Sequence, residues 1–259
     1  MSRFAANLTM MFNEVGFMDR FSAAAKAGFD AVEYLFPYAF DAGQIAEALQ
    51  RDGLTQALFN LPPGDWDGGE RGLAALPDRQ KDFRESVKIA LSYAAVTGVG
   101  RVHMMSGLAD RTDRAAQKAY YESLEFLCDA AGVSGLDVLI EPINSRDMPG
   151  YFLNDFNYAA DLIASIDLPN LKLQFDIYHR QIIHGDVLMG LRQMMPIIGH
   201  VQIAAGPLRN EPGTGELDDF RILREMDALG YTGYVGCEYR PAGDTVTGLD
   251  WMSRLPSKG

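Results

Sequence analysis

Residues 137–176 contain the pattern that decides the fold, and they read DVLIEPINSRDMPGYFLNDFNYAADLIASIDLPNLKLQFD. A short apolar run, Asp137–Ile143, is followed by a helical pattern, Tyr158–Ile166, and then by a second apolar run, Leu171–Ile177. Apolar runs of this length are typical of buried strands, and strands that alternate with helices are parallel strands joined by crossovers. The stretch therefore predicts one β-α-β unit.

The same alternation continues in both directions along the chain. The other predicted strands are Arg3–Leu8, Asp30–Phe36, Leu54–Asn60, Arg101–Ser106, His200–Ala204 and Tyr234–Tyr239. The other predicted helices are Phe17–Gly28, Asp41–Gly53, Asp82–Gly98, Ala115–Gly132, Val187–Met195, Phe220–Gly230 and a short last one, Thr247–Arg254. Eight such units predict a single (β/α)8 TIM barrel, with an open doubly wound sheet as the alternative. The length of 259 residues suits one such barrel, so we expect a single domain over residues 1–259.

Composition and charge limit the classes of function. No segment approaches 18 uncharged apolar residues, so we expect no membrane span, and the amino terminus lacks the features of a signal peptide. We interpret Cys128 and Cys237 as reduced core thiols, which favours a cytoplasmic protein. The net charge of −12 makes nucleic acid a poor partner, and an anionic substrate would need a local positive group, such as a metal ion or a buried arginine.

Four consecutive predicted strands carry, at their carboxyl ends, a polar side chain that can donate an oxygen ligand. These residues are Glu141, Asp176, Gln202 and Glu238. A single acid at a strand end is more often salt-bridged to a helix, but four on neighbouring strands of a closed barrel converge at its mouth. Three carboxylates and an amide oxygen suit Mg²⁺ or Mn²⁺, and without a cation the carboxylates would repel one another. The sequence therefore predicts a divalent metal site.

The segments around these residues resemble those of hydroxypyruvate isomerases, which are xylose-isomerase-like TIM barrels. They include IEPIN (140–144), QFDIYH (174–179), GHVQIA (199–204), EPGTGE (211–216) and VGCEY (235–239). The resemblance covers nearly the whole chain. It implies a divalent metal held by the four strand-end residues, and a small anionic 2-oxo or hydroxy acid as substrate. The implied reaction interconverts hydroxypyruvate and 2-hydroxy-3-oxopropanoate (tartronate semialdehyde) through an enediol(ate).

The reaction requires a base, an acid and groups that hold the substrate. We predict that Glu141 and Glu238 form the base–acid pair, in unassigned order. The resemblance makes His179 a ligand of a substrate oxygen, and we expect Arg209 to supply charge for the substrate carboxylate. In the long loop after the third strand, Trp66 is a candidate pocket residue. Glu70 and Arg71 of that loop are candidates for closing over the site, whereas His103, His184 and His200 are interpreted as structural.

Other functions stay open at this point. A 2-oxo-tetronate isomerase and a ketose 3-epimerase would share the barrel and the metal site. A phosphodiesterase of the endonuclease IV type would need a His-rich multi-metal site, and the four histidines and the acidic charge argue against it. A non-catalytic barrel that binds a metabolite is a further alternative. The short last helix would leave apolar surface for a second copy, so a homo-oligomer also stays open.

Overall fold

The structure, a computed structural model, describes residues 2–255 and contains a closed barrel of eight parallel strands. The strands are β1 (Arg3–Asn7), β2 (Ala31–Tyr34), β3 (Thr55–Asn60), β4 (Arg101–His103), β5 (Asp137–Ile140), β6 (Leu171–Asp176), β7 (Ile198–Ile203) and β8 (Tyr234–Cys237). Each strand pairs with the next in the sequence, and β8 pairs with β1 to close the barrel. The predicted (β/α)8 barrel is confirmed. The ends of the predicted domain, residues 1 and 256–259, lie outside the described residues.

Eight α-helices accompany the strands within residues 2–255. They are α1 (Phe17–Lys26), α2 (Ala42–Asp52), α3 (Gln80–Thr97), α4 (Arg114–Gly132), α5 (Phe156–Ile166), α6 (Ile177–Ile183), α7 (Val187–Met194) and α8 (Asp219–Ala228). Helices α2 and α3 end at Gly53 and Gly98, which adopt the left-handed conformation with φ of 65° and 72°. Glycine takes this conformation without steric cost, which is why it ends helices so often. None of the helices in this part of the chain is both long enough and apolar enough to cross a membrane.

The structure differs from the predicted elements in several places, among them β5, which ends at Ile140 rather than at Ile143. Helix α6 begins directly after β6, in a segment whose first residue was assigned to the strand. Residues Thr247–Arg254 form a 3₁₀-helix rather than an α-helix, and β4 ends at His103, three residues before its predicted end. The residues after β4 leave the barrel because Ser106 forms an isolated bridge with Gly72 of the β3–α3 loop.

Side-chain alternation along the strands divides the barrel wall into an outer apolar face and an inner polar face. Phe175 of β6 packs against Phe156 of α5, with ring centroids 5.3 Å apart, and therefore points out towards the helices. Its neighbours Gln174 and Asp176 point into the barrel, where both are almost fully buried. The inner face thus has polar groups at and just below the carboxyl ends of the strands. Active sites of barrel enzymes lie at these ends.

Candidate active site

A cavity of about 220 Å³ lies at the carboxyl ends of the strands. Its walls include Glu141 after β5, His179 of α6 and Glu238 after β8. Trp66, from the β3–α3 loop, also lines it, so the structure places this predicted pocket residue at the cavity. The volume is below that of pockets for drug-sized ligands and suits a substrate of a few carbon atoms.

Three acidic side chains lie at this cavity or close to it: Glu141 and Glu238 line it, and Asp176 is buried beside them without lining it. Glu141, Asp176 and Glu238 are only 4%, 0% and 7% exposed. Ligand atoms of Glu141, Asp176 and His179 lie within 4.8 Å of one another, a spacing at which they could hold a metal ion. This group contains two of the predicted ligands, Glu141 and Asp176, and the full set with Gln202 and Glu238 stays a prediction.

Burial and mutual repulsion disfavour the ionised forms of these acids. Burial raises the pKa of Glu141 well above its usual value, and the charges of Glu238 and Asp176 raise it further. Burial also raises the pKa of Glu238 to about 8, although Arg209 acts in the opposite direction. The pKa of Asp176 is raised by burial and is lowered in part by Arg209. A group of carboxyls that resists ionisation is typical of acid–base and metal sites.

Arg209 of the β7–α8 loop supplies the positive charge closest to these acids. Its Nη2 donates to Glu238 Oε2 and lies 3.3 Å from Asp176 Oδ2, and its Nη1 lies 3.5 Å from Asp147 Oδ2. The backbone of Arg209 is left-handed, with φ of 59°, which is uncommon for a residue with a side chain. Although burial lowers the pKa of Arg209, Glu238 and Asp176 raise it more, so the guanidinium stays charged. Its charge is therefore balanced inside the protein.

Gln202 lies on β7 beside Asp176 of β6, in a network of buried hydrogen bonds. Its Nε2 donates to Glu33 Oε1 over 2.8 Å, and its Oε1 accepts from Gln174 Nε2 over 2.6 Å. Glu33 Oε2 also contacts His200 Nε2 at 2.7 Å. Glu33 thus fixes the orientation of the Gln202 amide, with its oxygen on the side away from Glu33. The interpretation of His200 as a structural residue agrees with this contact.

His179 is held so that one defined ring nitrogen faces the acids. The backbone N–H of Asn144 donates to Nδ1 of His179 over 3.3 Å, and the Asn144 side-chain Nδ2 lies 2.6 Å from the same atom. Burial, with a contribution from Arg209, lowers the pKa of His179 well below its usual value, so the ring is neutral. A neutral ring that accepts at Nδ1 carries its proton on Nε2. This N–H lies 3.6 Å from Asp176 Oδ2 and is suited to donate to a substrate oxygen.

His103, at the end of β4, is a site residue that the sequence analysis missed. It lines the cavity, and its Nε2 lies 3.7 Å from Glu141 Oε2. Neither ring nitrogen has a hydrogen-bond partner among the described residues, and burial lowers its pKa to about 3. Buried polar atoms without a partner are costly and often mark a ligand site. The only sequence signal was its position at the end of a strand, which it shares with many structural residues.

Glu70 and Arg71 are adjacent in the sequence but differ in their place at the site. The Glu70 carboxylate forms an ion pair with Arg79 and accepts from the backbone N–H of Asp65, and it is not among the groups that line the cavity. Arg71 does line the cavity. Substrate contact by Glu70 therefore stays a prediction, and the contacts observed for Glu70 stabilise the β3–α3 loop instead.

The residues present fit a divalent cation. The Glu141 Oε1 atom is buried and has no hydrogen-bond partner among the described residues. A cation would lower the energy of the ionised carboxylates that burial now disfavours. The donors are mainly carboxylate oxygens, which Mg²⁺ and Mn²⁺ prefer.

Comparisons with known proteins agree with this geometry. Residues 21–255 match the family model described as xylose isomerase-like TIM barrel. The chain is 53% identical to a 2-oxo-tetronate isomerase of Cupriavidus necator, over 97% of this chain and 98% of the relative. It is 39% identical to a hydroxypyruvate isomerase of Escherichia coli, over 97% and 98% of the two chains.

A solved structure from Brucella melitensis, titled AP endonuclease, family 2, superposes with a TM-score of 0.96. It is 46% identical to this chain, and the match covers 99% of this chain and 100% of the other. The two relatives named above align with this chain over nearly their full length, and both are isomerases. The chain is therefore an isomerase and belongs to the family of xylose isomerase-like TIM barrels.

Proposed function

We propose that the protein interconverts hydroxypyruvate and 2-hydroxy-3-oxopropanoate by moving a proton between carbons 2 and 3. The observation that carries the proposal is the pair of buried carboxyls, Glu141 and Glu238, on the wall of one small cavity. The E. coli relative that is named a hydroxypyruvate isomerase supports the choice of substrate.

The two carboxyls suit the proton transfers of this reaction. One carboxylate removes a proton from carbon 3 of hydroxypyruvate, which gives an enediolate, and a protonated carboxyl returns a proton to carbon 2. The hydroxyl proton passes from the oxygen on carbon 3 to the oxygen on carbon 2, so that the alcohol becomes an aldehyde and the ketone becomes an alcohol. Because burial raises the pKa of Glu141 and of Glu238 in the metal-free protein, both carboxyls take up a proton more readily than an exposed acid does, which favours proton transfer. The order of the two residues stays unassigned.

A divalent ion, Mg²⁺ or Mn²⁺, would be held by Glu141, Asp176, Gln202 and Glu238. When bound, it would supply positive charge that favours the negatively charged enediolate. The Nε2–H of His179 is directed to donate to a substrate oxygen, and His103 offers a second neutral ring at the same wall. Both groups hold the substrate without adding net charge.

A 2-oxo-tetronate is the second candidate substrate, and the 53%-identical relative favours it. This compound carries one more hydroxymethyl group on carbon 3, while the proton still moves between carbons 2 and 3. The same carboxyl pair therefore serves both substrates, and the difference lies in the space around carbon 3.

The test uses metal-stripped protein with hydroxypyruvate or 2-oxo-tetronate, each with and without Mg²⁺ or Mn²⁺, followed by NMR in ²H₂O. We expect metal-dependent conversion and exchange of the transferred proton with solvent. If the protein converted 2-oxo-tetronate but not hydroxypyruvate, the proposed substrate would be 2-oxo-tetronate. Cleavage of a duplex with an abasic site, without conversion of either acid, would contradict the proposed isomerisation.

We also propose a reducing, cytoplasmic compartment and a small anionic 2-oxo acid as the partner. Cys128 and Cys237 are buried and unpaired, which supports this compartment.

A further inference from the structure

Two arginines at the mouth of the cavity have no acidic partner within residues 2–255. Arg71 follows β3, and Arg240 follows β8 two residues after Glu238. Both line the same cavity as Glu141, His179 and Glu238. In the strand order of the barrel, β1 and β2 lie between β8 and β3, and Met10 and Leu35 from the loops after β1 and β2 line the same cavity.

Arg71 is held in place but keeps donors free. Its guanidinium carbon lies 4.0 Å from the centre of the Trp66 ring, and Nη1 donates to the carbonyl oxygens of Trp66 and Glu70 over 2.9 and 2.7 Å. These contacts involve no carboxylate, because the Glu70 side chain binds Arg79 instead. Among residues 2–255, no acceptor is bound to the Nε and Nη2 groups of Arg71, so both can donate to a ligand.

The backbone of Arg240 is fixed, while its side chain is exposed. Its N–H donates to the Arg209 carbonyl over 2.8 Å, and its carbonyl accepts from Asn210 Nδ2 over 2.7 Å. Arg240 also lines an outer recess of about 490 Å³ that shares Met10, Leu35 and Trp66 with the cavity. Arg240 therefore lies where the recess opens into the cavity.

The charge balance of the cavity makes these free guanidinium groups significant. Arg209 already faces Asp176, Glu238 and Asp147, so it cannot neutralise one more carboxylate without giving up these partners. With the proposed divalent cation bound, the charges of the cation and of Arg209 balance those of Glu141, Asp176 and Glu238, so this part of the site offers no net positive charge to a substrate carboxylate. The favourable position for it is the mouth, beside positive charge that has no internal partner.

We propose that Arg71 and Arg240 form the site that binds the substrate carboxylate. The proposal rests on the proposed function for the identity of the anion, a 2-oxo acid. With the carboxylate held at the mouth, carbons 2 and 3 extend inward to Glu141 and Glu238, and a fourth carbon would lie at the floor. The two arginines thus orient the substrate as well as attract it.

The test measures pyruvate binding by isothermal titration calorimetry to the full-length protein with Mn²⁺ added. Pyruvate has the 2-oxo acid group but no hydroxyl on carbon 3, so it cannot undergo the proposed reaction. We expect Arg71→Met and Arg240→Met each to weaken pyruvate binding about 10- to 100-fold, the usual effect of losing a charged hydrogen bond. Arg224→Met, an exposed arginine on α8, removes the same charge elsewhere and should leave binding unchanged.

A second readout separates substrate binding from chemistry. With hydroxypyruvate, the two variants should raise KM by a similar factor and change kcat less than threefold. Circular dichroism and the melting temperature confirm the fold of each variant. The proposal is overturned if wild-type protein does not bind pyruvate, or if the folded double variant binds it as wild type does. Because pyruvate binding needs no turnover, failure of the isomerase assay alone would leave this result interpretable.

Discussion

At the scale of single residues, the site buries acidic side chains at positions where their charge destabilises the folded protein. Glu141 lies close to Glu238 and Asp176, and its Oε1 atom has no hydrogen-bond partner among the described residues. Such groups persist at active sites because function requires them, at a cost to stability. Function and stability should therefore respond in opposite directions when the charge is removed.

Glu141→Gln and Glu238→Gln test this opposition. We expect kcat to fall about 100- to 10 000-fold, the usual contribution of a general acid or base. The free energy of unfolding of the metal-free Glu141→Gln protein should stay the same or rise, because the variant removes a buried charge. Glu122→Gln on the exposed side of α4 is the matched control. Near-normal turnover in both site variants would remove these residues from the mechanism.

A second buried acid, Asp219 at the start of α8, predicts a pH-dependent stability. Burial raises the pKa of Asp219 to about 6, although the Gly213 N–H that donates to it acts in the opposite direction. Since the pKa is higher in the folded state, this stabilising contribution is complete below pH 3.8 and disappears as the pH rises through 6. For these values, linkage gives a loss of about 1.4 kcal/mol between pH 5 and pH 8.

Urea denaturation at both pH values checks this prediction against Asp219→Asn. Between pH 5 and pH 8, the unfolding free energy of the wild type should fall relative to that of Asp219→Asn by this amount. A difference that does not depend on pH would show that Asp219 ionises normally in the folded protein.

At the scale of elements, the junction of β6 and α6 serves both the fold and the site. Asp176 ends the strand and is also the N-cap of the helix, since its Oδ1 accepts from the Tyr178 N–H over 2.7 Å. The same residue directs Oδ2 towards Arg209 and His179. One side chain therefore fixes the start of α6 and, through it, the position of His179.

Asp176→Asn and Asp176→Ala separate the two roles. Asparagine caps a helix about as well as aspartate, whereas alanine loses the cap and costs about 1 kcal/mol more. We expect both variants to lose Mn²⁺ affinity in calorimetry, and only the alanine variant to lose the cap in urea denaturation of the metal-free protein. Asp41→Ala, at the N-cap of α2, should show the stability loss alone. Equal stability of the two Asp176 variants would argue against the capping role.

The same junction shows where sequence patterns reach their limit. The strand ends that carry Glu141, Asp176 and Glu238 were predictable, because an acid after an apolar run interrupts the pattern. Helix α6 was missed because Ile177 continues the apolar run of β6 and the helix has only seven residues. Two other features depend on contacts between distant loops. One is the pairing of Arg209 with Asp176 and Glu238, and the other is the lack of a hydrogen-bond partner for the His103 ring among the described residues. No local pattern encodes these contacts.

At the scale of the whole molecule, the proposed metal site connects four of the eight strands. Its ligands follow or end β5, β6, β7 and β8, which are consecutive neighbours around the barrel. In metal-free protein the carboxyl groups at these strand ends repel one another, and the positive charge of Arg209 is the main group that offsets this repulsion. A cation bound there would favour the folded barrel over the unfolded chain, in which the four ligands are far apart.

Adding Mn²⁺ to metal-stripped protein should therefore raise the melting temperature without any substrate present. At 100 times its dissociation constant, a ligand that binds only the folded state stabilises it by about 2.7 kcal/mol, which corresponds to roughly 5–10 °C for a chain of this size. Differential scanning calorimetry measures the shift, and Glu141→Gln should reduce it because one ligand oxygen loses its charge. If no divalent ion moved the wild-type transition, Arg209 alone would be balancing the acids, and the reaction would have to proceed through the side chains already on the cavity wall.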